Sequence, residues 1–144
     1  MTTFTTSRLI AAPVEQVYAA LSTPARLARW WGPAGFTNTF DVCEFKTGGR
    51  WSFTMHGPDG KSYANESIFT RIEPLHEVAI EHLSEPHFHL TITLTAEGNG
   101  TRVNSAQTFD TAQIATRVAA IVLRSNEQNL DRLAVEVGEK MRLG

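Results

Sequence analysis

Three histidines that lie close together in the sequence, His82, His87 and His89, are the first candidates for chemistry, because clustered imidazoles are typical zinc ligands. Two of them fall in segments where apolar and polar residues alternate, as in strands with one buried face. If Glu81 pairs with His89 across a loop of residues 83–87, the apolar residues of both strands share one face, with His82 inward and His89 outward. Zinc ligands must converge on one point, so we predict no metal site here. We expect the outward histidines to be solvated or paired with a glutamate.

Other reactive residue types form no catalytic motif. An inward-facing His82 is either a hydrogen-bonded core residue or a polar contact in a ligand pocket, and both interpretations stay open. Cys43 is expected to be a buried, inert thiol, since no neighbouring histidine or helix start lowers its pKa. Asp110 and Glu44 have no partner that the sequence places nearby, so an acid–base pair is not predicted.

Composition narrows the class of protein. The chain has 144 residues, 13 Lys and Arg against 15 Asp and Glu, a formal net charge of -2 and one cysteine. Binding to nucleic acid or anionic lipid through bulk charge is therefore not expected. The length of residues 1–144 suits a single domain. No cofactor is expected. The sequence shows no signal peptide and no apolar run long enough for membrane insertion, so we expect a soluble, cytoplasmic protein.

The elements that position these residues follow from hydrophobic spacing. A first strand over 3–11 stops before a proline, and two short helices follow over 14–21 and 23–31. Between Phe36 and Phe109, short β-branched and aromatic runs separated by glycine and proline turns indicate about six strands.

Helical spacing returns after the strands. Residues 110–113 resemble a capping box with Asp110 at the N-cap, and apolar residues recur with helical spacing over 114–137. A polar stretch at 124–129 marks a place where the helix bends or restarts. We predict an α+β fold in which an antiparallel sheet of six to seven strands buries one face under this long C-terminal helix.

Several short motifs, in this order, carry a family resemblance: Ala12-Pro-Val-Glu-Gln-Val-Tyr18, Trp30-Trp-Gly-Pro33, Gly48-Gly-Arg-Trp51, Gly57-Pro-Asp-Gly60 and Asn126-Glu-Gln-Asn-Leu-Asp-Arg-Leu133. Over nearly its whole length the chain resembles the START-like (SRPBCC, birch-pollen-allergen-like) superfamily, and within it the homologues of the activator of the 90-kDa heat-shock-protein ATPase. The resemblance implies the helix-grip fold, a curved antiparallel sheet wrapped around the C-terminal helix. Relatives often hold an apolar cavity between sheet and helix.

Aromatic residues gather on the elements that should surround such a cavity. They are either plain core or the wall of a ligand site, with Gln107, Arg50, His82 or Asn126 giving directional hydrogen bonds. The loop 32–36 is a candidate gate, and Trp30 and Trp31 cannot both point the same way. The predicted cavity-lining residues are Trp30, Trp31, Phe36, Phe40, Trp51, Phe53, Met55, Phe69, His82, Leu90, Phe109, Val122 and Asn126.

Three function hypotheses remain. The first is non-catalytic binding of a small hydrophobic molecule, such as a lipid or polyketide, in the cavity. The second is an interaction module for a protein partner, either a chaperone or a regulated protein. The third is an enzyme that resembles polyketide cyclases, dehydratases or hydrolases and uses His82. Polar strand faces also leave an edge-paired homodimer open.

Overall fold

The structure, a computed structural model, describes residues 2–143 and has the predicted element order. The last helix continues through the polar stretch 124–129 without restarting, as one helix of 32 residues. The elements are β1 (Thr3–Ile10), α1 (Val14–Ser22), α2 (Pro24–Trp30), β2 (Thr37–Cys43), β3 (Arg50–His56), β4 (Ser62–Glu73), β5 (Glu77–His82), β6 (Phe88–Glu97), β7 (Gly100–Phe109) and α3 (Ala112–Leu143).

All seven strands form one antiparallel sheet in the order β1-β7-β6-β5-β4-β3-β2. The predicted register of β5 and β6 is confirmed, because Glu81 pairs with His89 and Ile80 with Leu90. Register shifts at Phe40/Val42 and at Phe69/Arg71 are irregularities of the kind that bend strands. The result is the α+β helix-grip architecture that the sequence predicted.

Helix α3 packs unevenly along its length. Its second half buries Leu130, Leu133 and Val137, whereas its first half buries only Ala115 among the described side chains. The predicted apolar positions of the first half are half-buried or, at Ile121, 70% exposed. The second half therefore belongs to the hydrophobic core, and the first half covers a space.

The start of α3 corrects one prediction. Thr111, not Asp110, caps the helix, with its Oγ1 accepting a hydrogen bond from the Ile114 backbone N–H at 3.2 Å. Asp110 instead accepts a hydrogen bond from His87. The motif therefore located the start of the helix correctly, but the capping residue is Thr111 and not the adjacent Asp110.

A buried ion cluster joins α2 to α3. Glu136, 7% exposed, accepts hydrogen bonds from Arg26 at 2.9 Å and from Arg29 at 2.9 and 3.0 Å. The hydrogen bond from Arg29 lowers the pKa of Glu136, and burial opposes this shift. This cluster and the apolar contacts of Leu133 fix the second half of α3 to the two short helices.

Among the described residues, no helix combines the length and apolar composition that crossing a bilayer requires.

Candidate ligand cavity

A cavity of about 450 Å³ lies between the sheet, the loop after α2 and the first half of α3. Its size is within the range of small-molecule sites, roughly 300–1,000 Å³. Tyr63 and Ile121, 46% and 70% exposed, lie at its rim. The space is thus partly open to solvent and is roofed by the half of α3 that does not pack into the core.

Aromatic rings form one side of the cavity. Trp51 is the centre of this wall, with Phe53 stacked at 4.5 Å between ring centroids and Trp31 edge-on at 4.9 Å. Phe69 stacks on Trp51 at 5.3 Å and an interplanar angle of 11°. Because these rings are locked against one another, the wall is rigid and presents both ring faces and ring edges.

Uncharged polar side chains form the rest of the wall, next to these rings on the sheet and on α3. Asn65 and Ser67 come from β4, Gln107 from β7, and Asn126 and Asn129 from α3. The Asn126 amide donates to Gln107 Oε1 at 3.0 Å and so bridges the helix and the sheet. Glu85 is the only charged residue among the lining residues that the structure describes.

His82 lies in this wall with an oxygen atom close to each ring nitrogen. Its Nδ1 donates to the Pro86 carbonyl oxygen at 2.9 Å, and its Nε2 lies 2.6 Å from Asn65 Oδ1. The ring stacks on Phe88 at 4.4 Å. Burial lowers the pKa of His82, while the Pro86 carbonyl opposes the shift. His82 therefore serves as a fixed polar element that joins β4 to the β5–β6 loop.

The loop 31–36, which contains the predicted gate 32–36, is held by Arg132 of α3. Five backbone carbonyl oxygens, from Arg29, Trp31, Gly32, Pro33 and Phe36, lie 2.9–3.1 Å from its guanidinium nitrogens. The Arg29 carbonyl belongs to the last turn of α2, where carbonyls lack helical partners, and the other four belong to the residues that follow the helix. Burial lowers the pKa of Arg132.

Two amides of α3 complete this clamp, and a glycine permits it. Asn129 and Gln128 accept hydrogen bonds from the backbone N–H groups of Gly32 and Ala34, each at 3.1 Å. Gly32 has a φ of +98°, and a Cβ there would lie 2.6 Å from the Met55 Cε. The loop thus passes against the cavity wall at a position that favours glycine.

Eight of the predicted lining residues lie on the wall: Trp31, Phe36, Trp51, Phe53, Met55, His82, Leu90 and Asn126. As predicted, the two adjacent tryptophans point to different places: the Trp30 indole donates to the Ala20 carbonyl at 2.9 Å inside the core, whereas Trp31 lines the cavity, and their rings meet edge-on at 5.5 Å. The predicted hydrogen-bonding residue Gln107 also lies on the wall, whereas Arg50 is on the exposed face, 3.8 Å from Glu66.

Four further predicted residues lie off the wall. Phe40 packs against the side of Trp51 at 5.5 Å, and Phe69 lies in the core with no exposed surface. Phe109 is at the end of β7 between Phe4 and Phe88. Val122 is half-buried on α3, one turn before Asn126, and is not among the lining residues. Phe40 and Phe69 contact Trp51, and Phe109 contacts Phe88, so these three residues lie behind or beside rings that line the cavity.

Sequence reasoning missed the contribution of β4, whose inward face reads Tyr63, Asn65, Ser67 and Phe69. Hydrophobic alternation does not mark this face, because three of the four positions are polar or rim residues. The hairpin register was the available signal: Tyr63, Asn65 and Ser67 pair directly with Met55, Phe53 and Trp51 of β3. Directly paired residues share a sheet face. Other missed residues are Gly32, Pro33, Ile80, Glu85, Pro86, Phe88, Ile121, Ser125 and Asn129.

Cys43 is a half-buried thiol at the end of β2, and burial raises its pKa to about 11. A thiol in this environment is a poor nucleophile at neutral pH. This agrees with the inert thiol that the sequence predicted.

A curved antiparallel sheet around a long C-terminal helix, with a cavity between them, defines a helix-grip domain of the START-like (SRPBCC) superfamily. The family model described as "Activator of Hsp90 ATPase homolog 1-like protein" matches residues 11–138. The chain belongs to this family. A comparison with curated proteins gave no match.

Solved structures share the fold over almost the whole chain. A protein from Arthrobacter aurescens is 25% identical with a TM-score of 0.88, covering 96% of this chain and 87% of that one. A protein from Rhodobacter sphaeroides is 27% identical with a TM-score of 0.84, covering 96% and 93%. An AHSA1 protein from Silicibacter pomeroyi is 19% identical with a TM-score of 0.78, covering 96% and 99%.

Proposed function

We propose that the protein binds one small, uncharged molecule with an aromatic or alicyclic body in the cavity between the sheet and α3, without transforming it. The observation that carries this proposal is the composition of the wall: aromatic rings around Trp51 lie next to neutral amides and hydroxyls. Such a wall suits a flat apolar molecule with a few hydrogen-bonding groups along one edge.

The charge of the wall selects against anions. Among the lining residues that the structure describes there is no lysine or arginine, and the one carboxylate, that of Glu85, would repel an anion at the rim. A buried charge without a partner is costly in free energy, so a fatty-acid carboxylate or a phosphate group has no favourable position inside. Neutral groups can instead bond to Ser67, Gln107 or Asn126.

The engagement of His82 argues against an enzyme. A general base must reach the proton that it abstracts with a free ring nitrogen. In His82, one nitrogen donates to the Pro86 carbonyl and the other lies against Asn65. The ring is thus occupied with its neighbours, which favours binding over a cyclase-like or hydrolase-like reaction.

A pair of fluorescent probes tests the proposal. N-phenyl-1-naphthylamine is neutral, and its relative 8-anilino-1-naphthalenesulfonate adds a sulfonate to the same ring system. We expect the neutral probe to bind at one per chain with enhanced fluorescence, and the sulfonate to bind at least tenfold more weakly. Native mass spectrometry of protein purified from its own host then searches for a neutral, co-purified molecule.

Two neighbouring residues of α3 give matched variants. Ser125→Trp places a large ring in the cavity, whereas Arg124→Trp places the same ring on the exposed side of the helix. We expect the first variant to lose binding of the neutral probe and the second to keep it. Equal binding by both variants, or tighter binding of the sulfonate in the wild type, contradicts the proposal.

A further inference from the structure

A cluster of side chains that could bind a metal ion lies on the sheet face opposite the cavity. Glu81, His87 and His89 each offer one ligand atom, and these atoms all lie within 4.8 Å of one another. His82, adjacent to Glu81 in β5, points to the cavity side instead. The three-histidine site considered from the sequence therefore does not form, and a glutamate takes the place that His82 would have filled.

Strand pairing places Glu81 and His89 next to each other, and the loop before β6 places His87 beside them. Glu81 and His89 are direct partners across β5 and β6, so their side chains lie side by side on the outer face. His87, the last loop residue before β6, folds over them: its Nε2 lies 2.7 Å from Glu81 Oε2, and its ring is 5.2 Å from the His89 ring.

Asp110, at the end of β7, orients the His87 ring. The Nδ1–H of His87 donates to Asp110 Oδ1 at 2.7 Å, which directs Nε2 toward Glu81 and His89. A carboxylate that holds the distal N–H of a histidine is the usual outer partner of metal-binding imidazoles. The cluster thus contains both the inner ligands and a group that fixes the ring orientation of one of them.

We propose that Glu81, His87 and His89 bind a zinc ion, with Asp110 as the orienting carboxylate and water at the remaining position. Two imidazoles and a carboxylate suit Zn²⁺ and not the all-oxygen preference of Ca²⁺ or Mg²⁺. Tetrahedral zinc with bonds of about 2.0–2.1 Å needs ligand atoms about 3.3 Å apart. The side chains of Glu81 and His87 are 30% and 26% exposed and His89 is exposed, so side-chain rotation can reach this spacing.

Isothermal titration of untagged, chelator-treated protein with zinc chloride tests the site. We expect one zinc per chain, and a higher midpoint of thermal unfolding with zinc than without, since zinc links the β5–β6 hairpin within the native fold. Cobalt(II) should give visible absorption bands at the same stoichiometry. Asp110→Asn should weaken zinc binding by about 10–100-fold, the usual effect of losing an outer partner.

Matched variants separate this site from general surface binding. His89→Asn and Glu81→Gln should abolish the one-to-one binding, whereas His76→Gln, which removes an exposed histidine from the β4–β5 turn, should leave it unchanged. Circular dichroism and thermal unfolding without metal confirm that each variant folds. The proposal is wrong if the wild type binds no zinc, or if His76→Gln weakens binding as much as His89→Asn does.

Discussion

At the scale of residues, four polar side chains of the cavity wall pair with one another, whereas the buried Trp51 indole N–H has no hydrogen-bond partner among the described residues. Gln107 and Asn126 form one pair, and His82 and Asn65 form another. Each pair joins two elements, so the hydrogen bonds that satisfy the wall also fix its shape. A wall of this kind tolerates a partly empty cavity, because few polar atoms depend on the ligand for a partner.

The thiol of Cys43 gives a prediction at this scale. Since burial raises its pKa to about 11 against an ordinary value of 9.0, the thiolate fraction at pH 8 is about 100-fold lower than in the unfolded chain. We expect iodoacetamide to modify the folded protein about 100-fold more slowly than the same protein in denaturant. The rate should rise about tenfold per pH unit while the fold persists. Equal rates in the folded and unfolded states would contradict this account.

At the scale of elements, one arginine substitutes for a helix cap. Helix α2 ends at Trp30, and its Arg29 carbonyl, with four carbonyls of the following loop, converges on the Arg132 guanidinium. The loop 31–36 is therefore tied to α3 rather than to its own helix. Movement of this loop has to break contacts with α3, which couples the cavity rim to the position of that helix.

Arg132→Gln tests this coupling. The shorter neutral amide cannot serve five carbonyls, so we expect a loss of about 1–3 kcal/mol in the free energy of unfolding, the cost of buried acceptors without partners. Urea unfolding measures this loss. Hydrogen exchange should accelerate at the amides of Gly32 and Ala34, whose acceptors are on α3.

Arg124→Gln is the control, since it removes an exposed arginine from the same helix. It should change the free energy of unfolding by less than about 0.5 kcal/mol. If both variants lose the same stability, or if exchange in the loop stays at the wild-type rate in Arg132→Gln, the clamp does not hold the rim.

The sequence predicted the elements better than it predicted the wall between them. Alternation and loop length together were sufficient for the β5–β6 register, because pairing Glu81 with His89 gathers the apolar residues on one face and a shift by one residue does not. It was insufficient for β4, where the cavity side is polar. It also could not show Arg132, since a charged residue on a long helix is ordinarily solvated and its carbonyl partners come from a loop about 100 residues away.

At the scale of the whole molecule, α3 divides the protein into a packed half and a hollow half. Below Leu130, Leu133 and Val137 the sheet and the short helices form a continuous core. Toward the N-terminus of the helix, the space between helix and sheet becomes the cavity. The same helix therefore supports stability with one half and covers the ligand site with the other.

Two alanine substitutions in this helix should separate effects on stability from effects on ligand binding. Leu133, with no exposed surface, is a core residue, and Leu133→Ala should cost about 2–5 kcal/mol in the free energy of unfolding through lost contacts and a new void. Ile121 is 70% exposed and lies at the cavity rim, so Ile121→Ala should cost less than about 0.5 kcal/mol. It should nevertheless weaken binding of the neutral naphthylamine probe, because it removes apolar surface from the ligand side. Urea unfolding and probe titration measure the two effects. A large stability loss in Ile121→Ala would mean that the first half of α3 is packed as core, and the division between core and cavity would then fail.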